Sequence, residues 1–412
     1  MVTFNCVGRI TPVKETEKLK QKEVKVFPSG WAQKTLNFNV SFGNSRVLMQ
    51  IRQGYFADSN GVMDVNKNII YTSAFNENKE VEPIKVPMAD RFDTEIVSTV
   101  PFGKKYSLDM NSINSFLIGN IQKKFQSGSS VKEEDMEKYN IHNEEECEQL
   151  IASMKANRKD YIYVGDFLKA VEKLLADENI GKYKFKISGE YEYRYSEQKA
   201  QFYKTFVPKK IYRVTSDQLE SVEEKMEVNF DFYFNKKGFS DEDYANTGKC
   251  EMKGYIRYYD NQYKNDKCKG NVYAPMIVVL KSEDQRYIDA MKRKFTAFDG
   301  CDYKRMRLTC NYIDGAERKE IQLEDLGEDL RSDIECGLIS FEDVKKQLGG
   351  NVYGDRITEM RYVSYDVSVG AENTELTDLD VCYPEHDHNE DDEDLSIEVS
   401  SAEENEEDIF EI

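Results

Sequence analysis

Residues 182–195 read KYKFKISGEYEYRY, and this stretch decides the fold class. Apolar and polar side chains alternate strictly from Lys182 to Ile187 and again from Tyr191 to Tyr195. A period of two is typical of a β-strand that buries one face. Gly189, between the two runs, predicts a bulge or a sharp bend, as small curved barrels need. The stretch therefore predicts strands of a small, curved β-module.

The same alternation occurs before and after this stretch. It covers residues 35–42, part of 46–52 and residues 226–232, and a last strand is expected over 356–363. We therefore predict a mainly β (α+β) protein in four parts. These are an N-terminal β module (1–126), a helical insertion (127–180), a second β module (181–366) and a disordered acidic tail (367–412).

Helices are predicted where the period changes to that of an amphipathic helix. One is expected over residues 107–125, with its apolar side chains on one face. N-cap patterns precede three others, at Asn143 with Glu146, Ser282 with Gln285, and Ser340 with Asp343.

The C-terminal region carries nearly all of the net charge. Residues 371–412 contain eighteen Asp or Glu and no Lys or Arg, so removing them from the net charge of −20 leaves −2 for residues 1–370. Such a run cannot bury enough apolar surface to offset its ordering entropy, and it is expected to be disordered. A plain solubility tail is one interpretation. The apolar tip favours partner docking instead, through Ile409, Phe410 and Ile412.

The strongest signal in the body is a basic and aromatic patch over residues 182–214. Nine Lys or Arg and nine aromatic residues stand there against three acids. Cations neutralise phosphates and rings stack on bases, so the patch predicts a nucleic-acid platform. An ordinary antiparallel sheet with aromatic cross-strand pairs is the alternative. The candidate contacts are Lys184, Tyr193, Arg194, Tyr195, Tyr203 and Lys204.

The candidate rings and cations of this patch are predicted to lie on opposite faces of the strand. Alternation places Tyr193 and Tyr195 on one face of the strand and Arg194 on the other. A bulge near Gly189 is needed for both sets to reach one groove.

Two further clusters have the same chemistry. The first contains the single Trp of the chain, and its candidate residues are Trp31, Lys34, Phe38, Arg46 and Arg52. Trp31 is either a core anchor or an exposed stacking ring. The second cluster contributes Tyr255 and Arg257.

Enzyme and metal signatures are missing from the sequence. It has no phosphate-binding loop, no Gly-x-Gly-x-x-Gly and no Gly-x-Ser-x-Gly, so we predict no catalytic residues and no cofactor. Cys382, His386 and His388 are close in sequence, but no Cys-x-x-Cys pair exists, and no metal site is predicted.

The sequence also suggests where the protein acts. The eight cysteines are scattered and no export signal is recognised, so reduced thiols in a cytoplasm are expected. No apolar run approaches the roughly 18 residues of a membrane span, so no membrane association is predicted.

The assembly of these features resembles the replicative single-stranded DNA-binding proteins of tailed bacteriophages. The resemblance rests on short β-modules, a basic and aromatic face, and an acidic tail with an apolar tip at residues 403–412. It implies a body of OB-fold barrels and a role in DNA replication and recombination in the host bacterial cytoplasm. It also implies that the tail tip docks on replication and recombination proteins.

We therefore predict a non-enzymatic single-stranded DNA-binding protein. Two alternatives remain open from the sequence. An interaction or inhibitor protein could use the acidic tail to mimic DNA and capture a basic partner. A nuclease subunit could bind metal through Asp and Glu.

Overall fold

A computed structural model describes residues 2–58, 61–196, 201–260, 270–298, 300–320, 323, 326–347, 351–378 and 380–381. The strands are β1 (Thr3–Pro12), β2 (Lys22–Val26), β3 (Trp31–Phe42), β4 (Ser45–Phe56), β5 (Ile69–Phe75), β6 (Val81–Pro87), β7 (Tyr106–Asp109), β8 (Arg158–Tyr161), β9 (Phe185–Ser196), β10 (Gln201–Arg213), β11 (Met226–Asn235), β12 (Phe239–Ser240), β13 (Lys249–Tyr259), β14 (Asn271–Lys281), β15 (Tyr303–Glu320), β16 (Asn351–Tyr365) and β17 (Ala371–Asn373). The helices are α1 (Thr94–Thr99), α2 (Ser115–Gln126), α3 (Glu133–Tyr139), α4 (Glu144–Asn157), α5 (Val164–Leu175), α6 (Tyr244–Thr247), α7 (Gln285–Thr296), α8 (Glu328–Glu335) and α9 (Phe341–Gln347). The mainly β prediction is confirmed.

Five strands close into a first ring, which we call barrel 1. They pair in the order β1, β3, β4, β10, β9 and back to β1. Every pairing is antiparallel except β4 with β10, which is parallel with Met49 beside Phe206. The inward-facing side chains of all five strands fill the ring. Helix α5 adds Phe167, Leu168 and Val171 to the same core. Alternation along these strands therefore produces a barrel that a helix closes at one end.

A second ring, barrel 2, repeats this arrangement. Its strands pair in the order β11, β13, β14, β16, β15 and back to β11. The parallel pair is β14 with β16, where Val279 lies beside Arg361. Helix α7 again lies between the third and fourth strands and buries Ile288, Met291 and Phe295. Both rings thus have the strand order 1-2-3-5-4 and a helix at the same point of the chain.

The boundaries of the barrels differ from the predicted modules. Strands β9 and β10 were assigned to the second module, which begins at residue 181, yet they complete barrel 1. The reason is that β1 uses one edge for β9 and the other for β3. Helix α5, assigned to the insertion, is part of the barrel 1 core. The division between the barrels therefore falls between β10 and β11.

The two barrels share one core. Residues 3–6 of β1 pair with β11, which joins the two rings into one sheet. Tyr312 of barrel 2 packs on Phe206 of barrel 1 with ring centroids 5.1 Å apart. The backbone N–H of Asp314 donates to the Ser45 hydroxyl at 3.1 Å. Barrel 2 therefore covers one end of barrel 1, which decides which aromatic residues are accessible.

The predicted irregularity at Gly189 is present, but on the partner strand. Residues 185–196 form one strand, and the register shift lies on β10 between Pro208 and Lys210. Pro208 is directly opposite Gly189. A Cβ at position 189 would lie 2.0 Å from the carbonyl oxygen of Val207, so only glycine fits there. The sequence located the bend correctly, and the close approach of β10 explains why a glycine is needed.

We expect Gly189→Ala to lower the free energy of unfolding by about 1 to 3 kcal/mol, because β10 must move away from the added methyl group. Urea unfolding followed by circular dichroism measures this change. Gly181→Ala is the matched control, since nothing lies within 4 Å of its added Cβ. Equal stability of the two variants would contradict the proposed close packing at Gly189.

The N-cap predictions are confirmed at two helices. The Asn143 side chain accepts from the backbone N–H of Glu146 at 2.9 Å, before α4. The Ser340 hydroxyl likewise accepts from the N–H of Asp343 at 3.1 Å, before α9. At α7 the cap is Asp284 rather than Ser282. Residues 107–125 are only partly helical, because β7 pairs with β10 before α2 begins.

The first residues of the predicted tail are ordered against barrel 2. Residues 371–373 form β17, which pairs with β15, and Glu372 makes an ion pair with Arg305. This differs from the predicted disordered segment over 367–412, and the reason is that β15 offers β17 a free edge next to a cation. The tail from residue 382 onward, with Ile409, Phe410 and Ile412, lies outside the described residues.

Candidate nucleic-acid interface

The β9–β10 hairpin sorts its rings and cations onto two faces. Arg194 is directly opposite Tyr203, and Tyr193 is directly opposite Lys204. The first pair faces outward, where Arg194 is exposed and Tyr203 is half-buried. The second pair faces the end of barrel 1 that barrel 2 covers. Tyr193 and Arg194 therefore lie on opposite faces, as the sequence predicts, and each face has one ring and one cation.

Tyr193 is buried, which corrects its predicted stacking role. Only 6 % of its surface is accessible. Its ring lies 4.9 Å from that of Tyr191 and 6.2 Å from that of Tyr258, which belongs to barrel 2. Burial raises the pKa of the Tyr193 hydroxyl well above its usual range. A base cannot stack on this ring, and its role is to pack the two barrels together.

Three other candidates are also corrected by their surroundings. Phe38 is fully buried in the core of barrel 1, because it lies on the inward face of β3. Lys34 is paired with Glu172 of α5 at 2.8 Å, and Lys184 with Glu224 at 3.1 Å. Both lysines are therefore engaged by acids, although Glu172 also binds Lys22 and Glu224 also binds Arg9.

The outer face of barrel 1 positions Arg52 through a row of polar side chains. Gln50 donates to Asn37 at 2.8 Å, and Arg52 donates to Gln50 and, at 3.5 Å, to Thr205. Burial and then the charge of Arg194 lower the pKa of Arg52, while Glu192 partly compensates. Arg52 and Arg194 are thus close enough on this surface to repel each other. A bound anion would reduce this repulsion.

The remaining barrel 1 candidates lie at the surface to different degrees. Arg46 is exposed at the start of β4, and Tyr195 is half-buried against Phe202, with centroids 4.9 Å apart. Trp31 is 38 % exposed and packs edge-on to Phe56 at 5.1 Å. A Cβ at Gly54 would clash with the indole, so this glycine makes room for it. Trp31 is therefore a surface ring with a fixed orientation.

Barrel 2 presents the more extensive aromatic surface, which we call the platform. It consists of outward residues of β13 and β14 that are directly opposite each other: Lys253 with Ile277, Tyr255 with Pro275, Arg257 with Tyr273, and Tyr259 with Asn271. Tyr259 is 55 % exposed and Ile277 46 %. The predicted contacts Tyr255 and Arg257 therefore share one face.

Buried aromatic residues of the neighbouring strands β11 and β15 flank the platform on the same face. Tyr233 packs edge-on to Tyr273 at 5.3 Å, and Tyr303 lies 6.1 Å from Tyr255. Burial and then Tyr233 raise the pKa of the Tyr273 hydroxyl, and the nearby Arg257 partly lowers it. The rings are held in place before any ligand arrives, which reduces the ordering cost of binding.

A groove of about 660 Å³ runs beside the platform, where the barrels meet. It is lined by Tyr255 and Ile277 of barrel 2 and by the lysines Lys204, Lys237 and Lys253. Desolvation lowers the pKa of Lys204, so its charge gains from an anionic ligand. The one acid in the lining, Glu359, is already paired with Lys249 at 2.5 Å and with Arg361 at 2.8 Å.

Three of the cations at these surfaces that form no ion pair within the described part of the chain are Arg194, Lys204 and Arg257. By contrast, Lys209 of the predicted patch is bound to Glu190 at 2.5 Å, and Arg213 lies over the Tyr183 ring at 4.0 Å. Lys184 and Lys209 of the predicted patch are therefore engaged by acids, whereas Arg194 and Lys204 are not.

The start of the acidic tail lies at the edge of the platform. The Tyr303 hydroxyl donates to the Asp378 carboxylate at 2.9 Å. The charge of Asp380 contributes to the raised pKa of Tyr273. Val381 is 7 % exposed. The chain therefore enters its acidic segment next to the candidate binding surface.

Sequence reasoning missed part of the platform. Lys253, Tyr273 and Ile277 were not among the candidates. Tyr259 belongs to the second cluster of the sequence but was not one of its chosen contacts, although side chains alternate between the two faces of a strand. That alternation would have placed Tyr259 on the same face as Tyr255. Tyr273 and Ile277 give no such signal, because β14 reads as a nearly continuous apolar run.

Two other kinds of feature are absent from the described residues. No three His, Cys, Asp or Glu side chains come close enough there to hold a metal ion. Cys382, His386 and His388 are outside the described residues. None of the helices described is long and apolar enough to cross a membrane.

Comparisons with known proteins give structural matches only. No family model matches the sequence, and no curated protein matches it. The wild-type single-stranded DNA-binding protein of Thermus aquaticus matches at 8 % identity and a TM-score of 0.28, over 76 % of this chain and 85 % of that one. A deletion mutant of the same protein matches at 6 % identity and a TM-score of 0.27, over 76 % and 87 %. Similarity at this level carries no argument about function.

Proposed function

We propose that the protein binds single-stranded DNA and has no catalytic activity of its own. The observation that carries the proposal is the platform, where half-exposed rings and cations lie on the outer face of the second and third strands of barrel 2. In both rings, the strand order and the helix position correspond to an OB-fold, and this face is where OB-folds bind oligonucleotides. We assign both barrels to that fold.

Single strands fit this surface better than duplexes do. Tyr255, Tyr259 and Tyr273 offer stacking faces to bases, which only an unpaired strand can present. The unpaired cations Arg194, Lys204 and Arg257 neutralise phosphates in any sequence. Binding is therefore expected to be insensitive to base sequence and sensitive to salt.

The acidic tail completes the proposed function. Its tip at Ile409, Phe410 and Ile412 recruits replication and recombination proteins. The chemistry of the tip supports this role, because an apolar end gives a partner a small surface to bury. We place this activity in the cytoplasm of a bacterial host.

A salt titration with labelled oligonucleotides tests the proposal. Each neutralised phosphate contributes a slope of about −0.7 to log K against log salt. Three unpaired cations therefore predict a slope of about −2 or steeper, with single-stranded DNA bound more tightly than duplex of equal length. An affinity that is flat across salt, or a preference for duplex, would contradict the proposal.

A further inference from the structure

The outer face of barrel 1 continues beyond Tyr203 onto a small added sheet. After the register shift, β10 still directs Lys210 and Tyr212 outward, because Ile211 between them is fully buried. Strand β7 pairs with this end of β10, and β8 pairs with β7. At a rise of about 3.3 Å per residue, Lys210 is roughly 20 Å from Tyr203 along the strand. A ligand that leaves the Arg194–Tyr203 surface in this direction therefore reaches these residues.

Two cations are held on one exposed ring at this end. Phe102 is 47 % exposed and lies in the turn that precedes β7. The Lys210 ammonium is 3.3 Å from its ring centroid, and the Arg158 guanidinium is 5.3 Å away. Arg158 also lies 5.9 Å from the Tyr212 ring. Cation–π contacts restrain the long side chains of Lys210 and Arg158 before a ligand binds. Less conformational entropy is then lost on binding.

Positive charge exceeds negative charge around this ring. The nearby acids are already engaged. Asp160 accepts from the Ser107 hydroxyl at 2.6 Å and lies 3.6 Å from Arg158. Asp109, directly opposite Arg158, accepts from the backbone N–H and the side chain of Asn111, and Glu190 is bound to Lys209. Lys104, two residues after Phe102, adds exposed charge. Desolvation lowers the pKa of Lys210, and Asp160 only partly restores it.

We propose that Phe102, Arg158 and Lys210 form a second contact for the phosphodiester backbone of a bound single strand. The contact is to phosphates rather than bases, because the Phe102 ring already carries two cations. This inference rests on the proposed function, and it predicts that strands long enough to extend past barrel 1 bind more tightly through this contact.

The test compares short and long strands. Fluorescence anisotropy is measured with thymidine oligonucleotides of about 8 and about 35 nucleotides, which bracket the usual site sizes of OB-folds. The Arg158→Ala/Lys210→Ala variant should bind the long strand about tenfold or more weakly, with its salt slope reduced by about 1.4. The short strand, which occupies the platform, should bind as in the wild type.

Two further variants make the test decisive. Lys169→Ala/Lys173→Ala removes two exposed cations of α5, and it should leave both affinities close to wild type. Lys104→Glu changes only an exposed side chain two residues after Phe102, so it should fold normally and weaken the long strand selectively. Equal losses in the α5 variant, or an unchanged slope for both cluster variants, would overturn the second contact. Absence of any binding by the wild type would instead overturn the proposed function.

Discussion

Replacing Tyr255 and Tyr259 together by alanine should weaken single-stranded DNA binding by about 2 to 6 kcal/mol, roughly 30-fold to 10⁴-fold in affinity. Both rings face outward from β13, and Tyr259 is 55 % exposed. Each stacked base contributes about 1 to 3 kcal/mol when its ring is removed. Fluorescence anisotropy at fixed salt measures the loss, and circular dichroism confirms that the double variant is folded.

Two control variants separate stacking from other effects of these tyrosines. Tyr255→Phe/Tyr259→Phe keeps both rings and removes only the hydroxyls, so it should bind within a few-fold of the wild type. Tyr71→Ala removes a ring that is 71 % exposed on the β5–β6 hairpin, away from the platform, and should change nothing. A folded Tyr255→Ala/Tyr259→Ala variant with wild-type affinity would remove the platform from the binding site.

Alternation along single strands predicted much of the fold. Strands β3, β4, β11 and β16 contain the segments that predicted them, and β9 contains all but the first three residues of its segment, 182–184. Alternation is a strong signal where one face of a strand is buried and the other is not. The pairing of strands far apart in sequence could not be predicted in this way. The edge of β1 that binds β9 carries no signal of its own in the sequence, so the module boundary at residue 181 was placed inside barrel 1.

The candidate site was predicted less completely, for the same physical reason. Alternation shows which residues share a face, but not what covers that face. The sequence makes both Tyr193 and Arg194 plausible contacts, but Tyr258 of barrel 2 packs near Tyr193 and leaves only Arg194 exposed. Lys34 and Lys184 were plausible until Glu172 and Glu224 were found beside them. Local charge in sequence therefore overstates unpaired charge in space, because partners come from other elements.

The ordered start of the tail leads to two different expectations for truncation. Deleting residues 371–412 removes β17, the Glu372 ion pair with Arg305 and the hydrogen bond from Tyr303 to Asp378. That variant should have a lower free energy of unfolding than the wild type. Deleting only residues 382–412 leaves these contacts in place and should keep the stability measured by urea unfolding.

The shorter deletion should raise the affinity for single-stranded DNA about tenfold or more at low salt. Residues 382–412 carry fourteen Asp or Glu and no Lys or Arg, and the chain enters them beside the platform. A tethered polyanion competes with DNA at an effective concentration of about a millimolar. The gain should largely disappear at about 1 M salt, where the screening length falls to about 3 Å.

Phe410→Ala/Ile412→Ala is the matched control, since it keeps every charge and should leave DNA binding near wild type. If the shorter deletion weakened DNA binding at low salt, or if the gain persisted at high salt, the tail would not be an electrostatic competitor for the platform.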